Sequence, residues 1–98
     1  MPDLLTVDEI ARLRAELDPD WTVSPDQTSI ERCFSFDAYL EGVAFANSVA
    51  WIAEKHDHHP DLLVGYARCE VVYSTHSAGG LTQLDFDAAR AVDQLVEA

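Results

Sequence analysis

All four histidines of the chain fall in two places: His56, His58 and His59 stand close together, and His76 follows later. Imidazole titrates near pH 6.5 when unperturbed (about 6.5), so a group of histidines suits general acid–base catalysis at neutral pH. The same group suits a metal ion. Against a metal, adjacent His58 and His59 point in different directions in extended chain, and no ligand spacing of the His-Glu-x-x-His kind is present. Two carboxylates accompany the imidazoles. Asp57 precedes His58, and Asp85 lies three residues after Thr82. Asp85 has two readings: a partner that orients an imidazole, or the third-position carboxylate of a helix capping box. His56 reads as a last-turn cation that complements a helix dipole. Tyr66 and Tyr73 read as packing residues, and Glu54 as a solvated helix residue.

Such groups need elements to position them. Thr6 with Glu9 forms a capping box before Val7–Leu17, where Ile10, Leu13 and Leu17 share a face, so a first helix is expected there. Asp18-Pro19-Asp20 stops it. Trp21-Thr22-Val23 begins an extended segment, and Ile30 to Phe36 alternates as a strand, with Arg32 the exception on its apolar side. From Asp37 to about His56 the residues favour the longest helix. Its apolar positions, Leu40, Val43, Phe45, Ala46, Val49, Ala50, Trp51, Ile52 and Ala53, exceed a single stripe. A homo-oligomer interface would use the surplus.

After Pro60, Leu62 to Thr75 reads as a short strand and a longer one with a turn at Ala67-Arg68. Ser77–Gly80 is a loop, and Thr82 caps a last helix whose apolar face is read as Leu84, Ala88, Ala91, Val92 and Leu95. The order is helix, two strands, helix, two strands, helix. It predicts an α+β two-layer sandwich, a four-stranded antiparallel sheet with three helices on one face.

With 98 residues, the chain is expected to be one domain, 1–98, with one modest core. Eighteen acidic against six basic residues give a formal charge of −12, which repels a phosphate backbone, so no direct nucleic-acid partner is expected. No apolar run approaches a membrane span. Met1–Thr6 lacks a basic and then apolar leader pattern, which makes the cytoplasm the expected location. Cys33 and Cys69 are too far apart for a zinc pair, and both are expected to be reduced and packed.

The residues around the histidines resemble the pterin-4a-carbinolamine dehydratase family almost end to end. Glu54-Lys55-His56-Asp57-His58-His59-Pro60 is similar to the family's Glu-Lys-x-Asp-His-His-Pro, followed after five residues by an aromatic, Tyr66. Ser74-Thr75-His76 is similar to its Ser-Thr-His, and Gly80-Leu81-Thr82 with Asp85 to its Gly-Leu-Thr/Ser-x-x-Asp. Departures fall at Leu62, where many members carry an aromatic, and at Ala67 and Leu84.

The resemblance implies an enzyme that removes water from a 4a-hydroxytetrahydropterin to give quinonoid dihydropterin in tetrahydropterin recycling. It implies His58, His59, His76 and Asp85 as catalytic residues, with His58 and His76 as the acid–base pair, His59 as a positioning donor, and Asp85 orienting one imidazole and raising its pKa. Asp57, His58, His59, Ser74, Thr75 and His76 would contact the pterin. It further implies no metal and no cofactor apart from the pterin substrate, a homodimer or homotetramer, and an aromatic amino-acid hydroxylase as a possible partner. The alternative on the same fold is a non-catalytic dimerisation or assembly factor.

Overall fold

The computed structural model describes residues 3–97; Met1, Pro2 and Ala98, which the 1–98 domain reading includes, lie outside the described residues. Helix α1 spans Val7–Ala15, closed by the Thr6/Glu9 capping box: the Glu9 N–H donates to Thr6 Oγ1 at 3.2 Å, and the Thr6 N–H to Glu9 Oε1 at 2.8 Å. The helix ends two residues before the expected Leu17. There the Glu16 and Leu17 N–H groups bond to Leu13 and Arg14 carbonyls in tight i→i−3 fashion as the chain approaches Pro19.

Strand β1 (Thr22–Val23) pairs antiparallel with β2 (Ile30–Ser35). Their connection is tied by Ser24, whose hydroxyl donates to Asp26 Oδ1 at 2.7 Å and accepts from the N–H groups of Thr28 and Ser29. Helix α2 runs Tyr39–His56 rather than from Asp37, because the N–H groups of Asp37 and Ala38 are taken by Glu41 Oε1 ahead of the first turn. A hairpin of β3 (Asp61–Gly65) and β4 (Arg68–Tyr73) follows, the second strand ending two residues before the expected Thr75, then a 3-10 turn at His76–Ala78 that overlaps the start of the expected loop, and α3 (Gln83–Glu97).

The sheet order is β1-β2-β4-β3, and every neighbouring pair is antiparallel. This is the expected four-stranded sheet with three helices. Alternation sets the layers: Ile30, Phe34, Cys69, Val71 and Tyr73 face one way and join Ile10, Leu13 and Leu17, Val49 of α2, and Phe86, Ala89 and Val92 of α3 in a single core. The opposite face carries Glu31, Cys33 and Ser35 into solvent. Cys33 is therefore exposed, contrary to expectation, because its strand register puts it on the open face; Cys69 is buried. Tyr66 is also no packing residue: at the β3–β4 turn it is 82% exposed.

Helix α3 corrects a further expectation. Leu84 and Leu95 point outward, and the buried stripe runs through Asp85, Phe86, Ala88, Ala89, Val92 and Asp93. Counting aspartates as outward residues rotates the helix wrongly; a helix buries carboxylates when their acceptors are met. At Asp93 they are met by Trp21 Nε1–H, at 2.8 and 3.0 Å from the two oxygens, and by Arg32 Nη1 at 2.8 Å. Arg32 explains its place on the apolar side of β2. Its guanidinium lies over the Phe34 ring at 4.3 Å and reaches Asp18 at 3.6 Å and Asp20 at 3.9 Å.

Candidate active site

Helix α2 terminates on Asp57, which adopts the left-handed conformation with φ +51°, and the Asp57 and His58 N–H groups both bond back to the Ala53 carbonyl. That reversal delivers His58 inward. Its Nε2 lies 2.6 Å from Oδ1 of Asp85, at the first turn of α3. Asp85 has no exposed surface, and the His58 side chain keeps 11%.

The other oxygen of Asp85, Oδ2, accepts the Thr75 hydroxyl at 2.8 Å and the Thr82 backbone N–H at 3.0 Å. Thr75 and Thr82 hydroxyls are 2.8 Å apart, and Thr82 Oγ1 also accepts the Leu84 N–H. The cap and the imidazole contact therefore coexist at Asp85. One oxygen caps α3 and the second faces an imidazole. An ionised carboxylate offers only acceptors, so a hydrogen bond to it across this contact uses a proton on Nε2, and Nδ1 is the ring nitrogen that Asp85 does not engage.

The His58 ring is stacked on Tyr73, with centroids 5.8 Å apart and planes 10° from parallel. Tyr73 is fully buried and its hydroxyl has no hydrogen-bond partner among the described residues. Burial first, and the nearby Asp85 charge second, push the phenol well above the ordinary tyrosine range.

The remaining sequence-predicted residues are placed differently. His59 turns to Glu54, its Nε2 lying 2.5 Å from Oε2, and both side chains are largely exposed. His76 is exposed at the start of the 3-10 turn and directly follows Thr75. Ser74 donates its hydroxyl to the Thr28 carbonyl at 2.7 Å. Thr75 is buried with its hydroxyl committed to Asp85, and Asp57 is exposed at the helix terminus. The structure therefore unites His58, Asp85 and Thr75, pairs His59 with Glu54, and presents His76 to solvent.

Glu54, Tyr73 and Thr82 are the residues that sequence reasoning assigned only bland roles. For Thr82 a signal existed, since a cap three residues before a buried carboxylate shares its acceptor. Among the described residues, no group of three or more His, Cys, Asp and Glu side chains is gathered closely enough to hold a metal ion.

A family model described as pterin 4 alpha carbinolamine dehydratase matches residues 3–95. The chain belongs to the pterin 4 alpha carbinolamine dehydratase family. A Nitrosomonas eutropha protein named "Putative pterin-4-alpha-carbinolamine dehydratase" is 42% identical over 92 residues, covering 94% of this chain and 80% of its own. One of the same name from Legionella pneumophila is 44% identical over 92 residues, covering 94% and 81%. Among solved structures, a transcriptional coactivator/pterin dehydratase from Brucella melitensis superimposes with a TM-score of 0.88 at 33% identity, over 95% of this chain and 98% of that one. A pterin dehydratase-like protein, identified as a RuBisCO assembly factor in the alpha-carboxysome, shares the fold with a TM-score of 0.65 at 21% identity, covering 78% of this chain and 88% of its own. No helix among the described residues is long and apolar enough to cross a membrane.

Proposed function

We propose that this member of the pterin dehydratase family is a working 4a-hydroxytetrahydropterin dehydratase. The observation that carries the reading is the buried His58–Asp85 pair, whose carboxylate is fully supported by Thr75 and Thr82 while the imidazole keeps a free nitrogen. A surface factor has no need of such a centre. Dehydration breaks the C4a–OH bond as that oxygen gains a proton, and removes the N5 proton as the N5=C4a double bond forms. Water leaves and electrons balance, so no redox cofactor is called for.

In this reading His58 Nδ1 and the imidazole of His76 form the acid–base pair. Asp85 holds the His58 ring in its Nε2–H tautomer, and His59, braced by Glu54, positions the pterin. Asp57–His59 and Ser74–His76 supply the binding segments. Ser74 and Thr75 contribute there through backbone and position, since their hydroxyls are taken by Thr28 and Asp85.

The deciding assay generates the carbinolamine with an aromatic amino-acid hydroxylase and follows its ultraviolet decay. Wild-type protein should accelerate the decay, and His76→Ala should lower the rate by about 10²-fold. An unchanged rate in folded His76→Ala removes that residue from the pair. No acceleration by wild type favours the non-catalytic assembly reading.

Helix α2 leaves Leu40 75% and Trp51 71% exposed, with Tyr39 half exposed nearby, and a second copy of the chain is the occupant we assign to this surface. Light scattering should show a dimer or tetramer that Trp51→Glu weakens. A cytoplasmic location completes the proposal.

A further inference from the structure

We infer that Tyr73 is a positioning residue that sets the plane of the His58 imidazole through its ring face and not through its hydroxyl. This rests on the dehydratase reading and adds to it a residue outside the histidine and aspartate motifs. Three observations support it. The rings lie within 10° of parallel at a centroid distance of 5.8 Å, an offset arrangement that flat π systems favour. Tyr73 ends β4 in the centre of the sheet, is fully buried, and also packs on Trp21 with centroids 6.4 Å apart, so packing encloses the platform. Its hydroxyl is buried and without a partner among the described residues, which leaves the ring as the part in use.

The geometry needs such a platform. A single contact from Nε2 to Asp85 Oδ1 fixes one point of the imidazole and leaves rotation about the contact axis open. Contact along the ring face closes that rotation and fixes the direction in which Nδ1 points. Tyr73 thus acts on the reaction only through His58, while Asp85, itself held by Thr75, secures the Nε2 end of the same ring.

Two substitutions separate ring from hydroxyl. Tyr73→Phe keeps the face and removes the unpartnered oxygen; Tyr73→Leu keeps bulk and loses the flat surface. Tyr73→Phe should retain the wild-type kcat, and Tyr73→Leu should lower kcat by about tenfold or more with KM unchanged. Nitrogen-15 shifts of the His58 ring, recorded without substrate, give a readout that does not depend on turnover. They should report the Nε2–H tautomer in wild type and Tyr73→Phe, and a mixed or averaged ring in Tyr73→Leu. A folded Tyr73→Leu protein with wild-type kcat and an unaltered His58 tautomer overturns the inference. So does Tyr73→Phe losing as much activity as Tyr73→Leu, which moves the role to the oxygen. If wild type itself fails to turn over the carbinolamine, the dehydratase reading falls, while the nitrogen shifts still decide whether Tyr73 orders the ring.

Discussion

Helix α3 buries two aspartates on one face, eight residues apart, and they meet opposite kinds of partner. Asp93 faces Arg32 and the Trp21 N–H, a guanidinium and an indole that offer only donors. Asp85 faces Thr75, the Thr82 backbone and His58, two neutral donors and an imidazole. The same side chain, buried on the same helix, holds a guanidinium and an indole N–H in one place and an imidazole in the other.

The largest expected effect falls on Asp93. Asp93→Ala removes the closest anion from a guanidinium that is mostly buried and orphans the Trp21 N–H, leaving Arg32 only the longer contacts to Asp18 and Asp20. Urea denaturation should show a loss of about 3 kcal/mol, with the turnover of the folded fraction unchanged. The double change Arg32→Met with Asp93→Leu should recover most of that loss, because replacing a buried pair by apolar groups of similar size is often neutral. Lost turnover in a still-stable Asp93→Ala protein would break the comparison, by making Asp93 part of the site.

The next effect belongs to Asp85. In Asp85→Asn the amide oxygen can still accept from Thr75, but its NH₂ then faces His58 and selects the other tautomer, with the proton on Nδ1. The dehydration rate should fall by about 10²-fold while KM changes little, since the misplaced proton affects chemistry more than binding. A variant with wild-type turnover would reduce Asp85 to a helix cap.

The smallest effect is one of titration. The Tyr73 phenol is raised above its unfolded value of about 10, so its neutral form favours folding; that stability is complete below about pH 10 and is lost as pH rises from there towards the folded value. Cys69, raised chiefly by burial, adds a loss beginning near pH 9. Melting temperatures measured from pH 8 to about 11 should decline for wild type and decline less steeply for Tyr73→Phe. Equal slopes would remove Tyr73 as a source.

The fold was legible because its signals are local. The Thr6/Glu9 box, the alternation of Ile30–Phe34 and the breakers at Pro19 and Pro60 each specify an element within a few residues. The failures came where long-range pairing overrides local pattern. Nothing near Asp93 in sequence announces Arg32 and Trp21, so α3 was rotated to bury Leu84 and Leu95; nothing near His58 announces Tyr73 as its platform. Asp85 was within reach, since its place after Thr82 fixed the cap and the resemblance supplied the imidazole. Which histidine it meets required the left-handed Asp57 turn, which three-dimensional structure alone reveals.

The spacing of the two aspartates also limits how this helix can vary. Each residue of an α-helix advances the side-chain direction by about 100°, so adding or deleting one residue between Asp85 and Asp93 would swing one carboxylate away from its partner while the other stayed in place. The stretch between them behaves as a gauge of fixed length, intolerant of insertion though open to substitution on its outer side. Past Asp93 that constraint ends, and Gln94–Glu97 are all exposed.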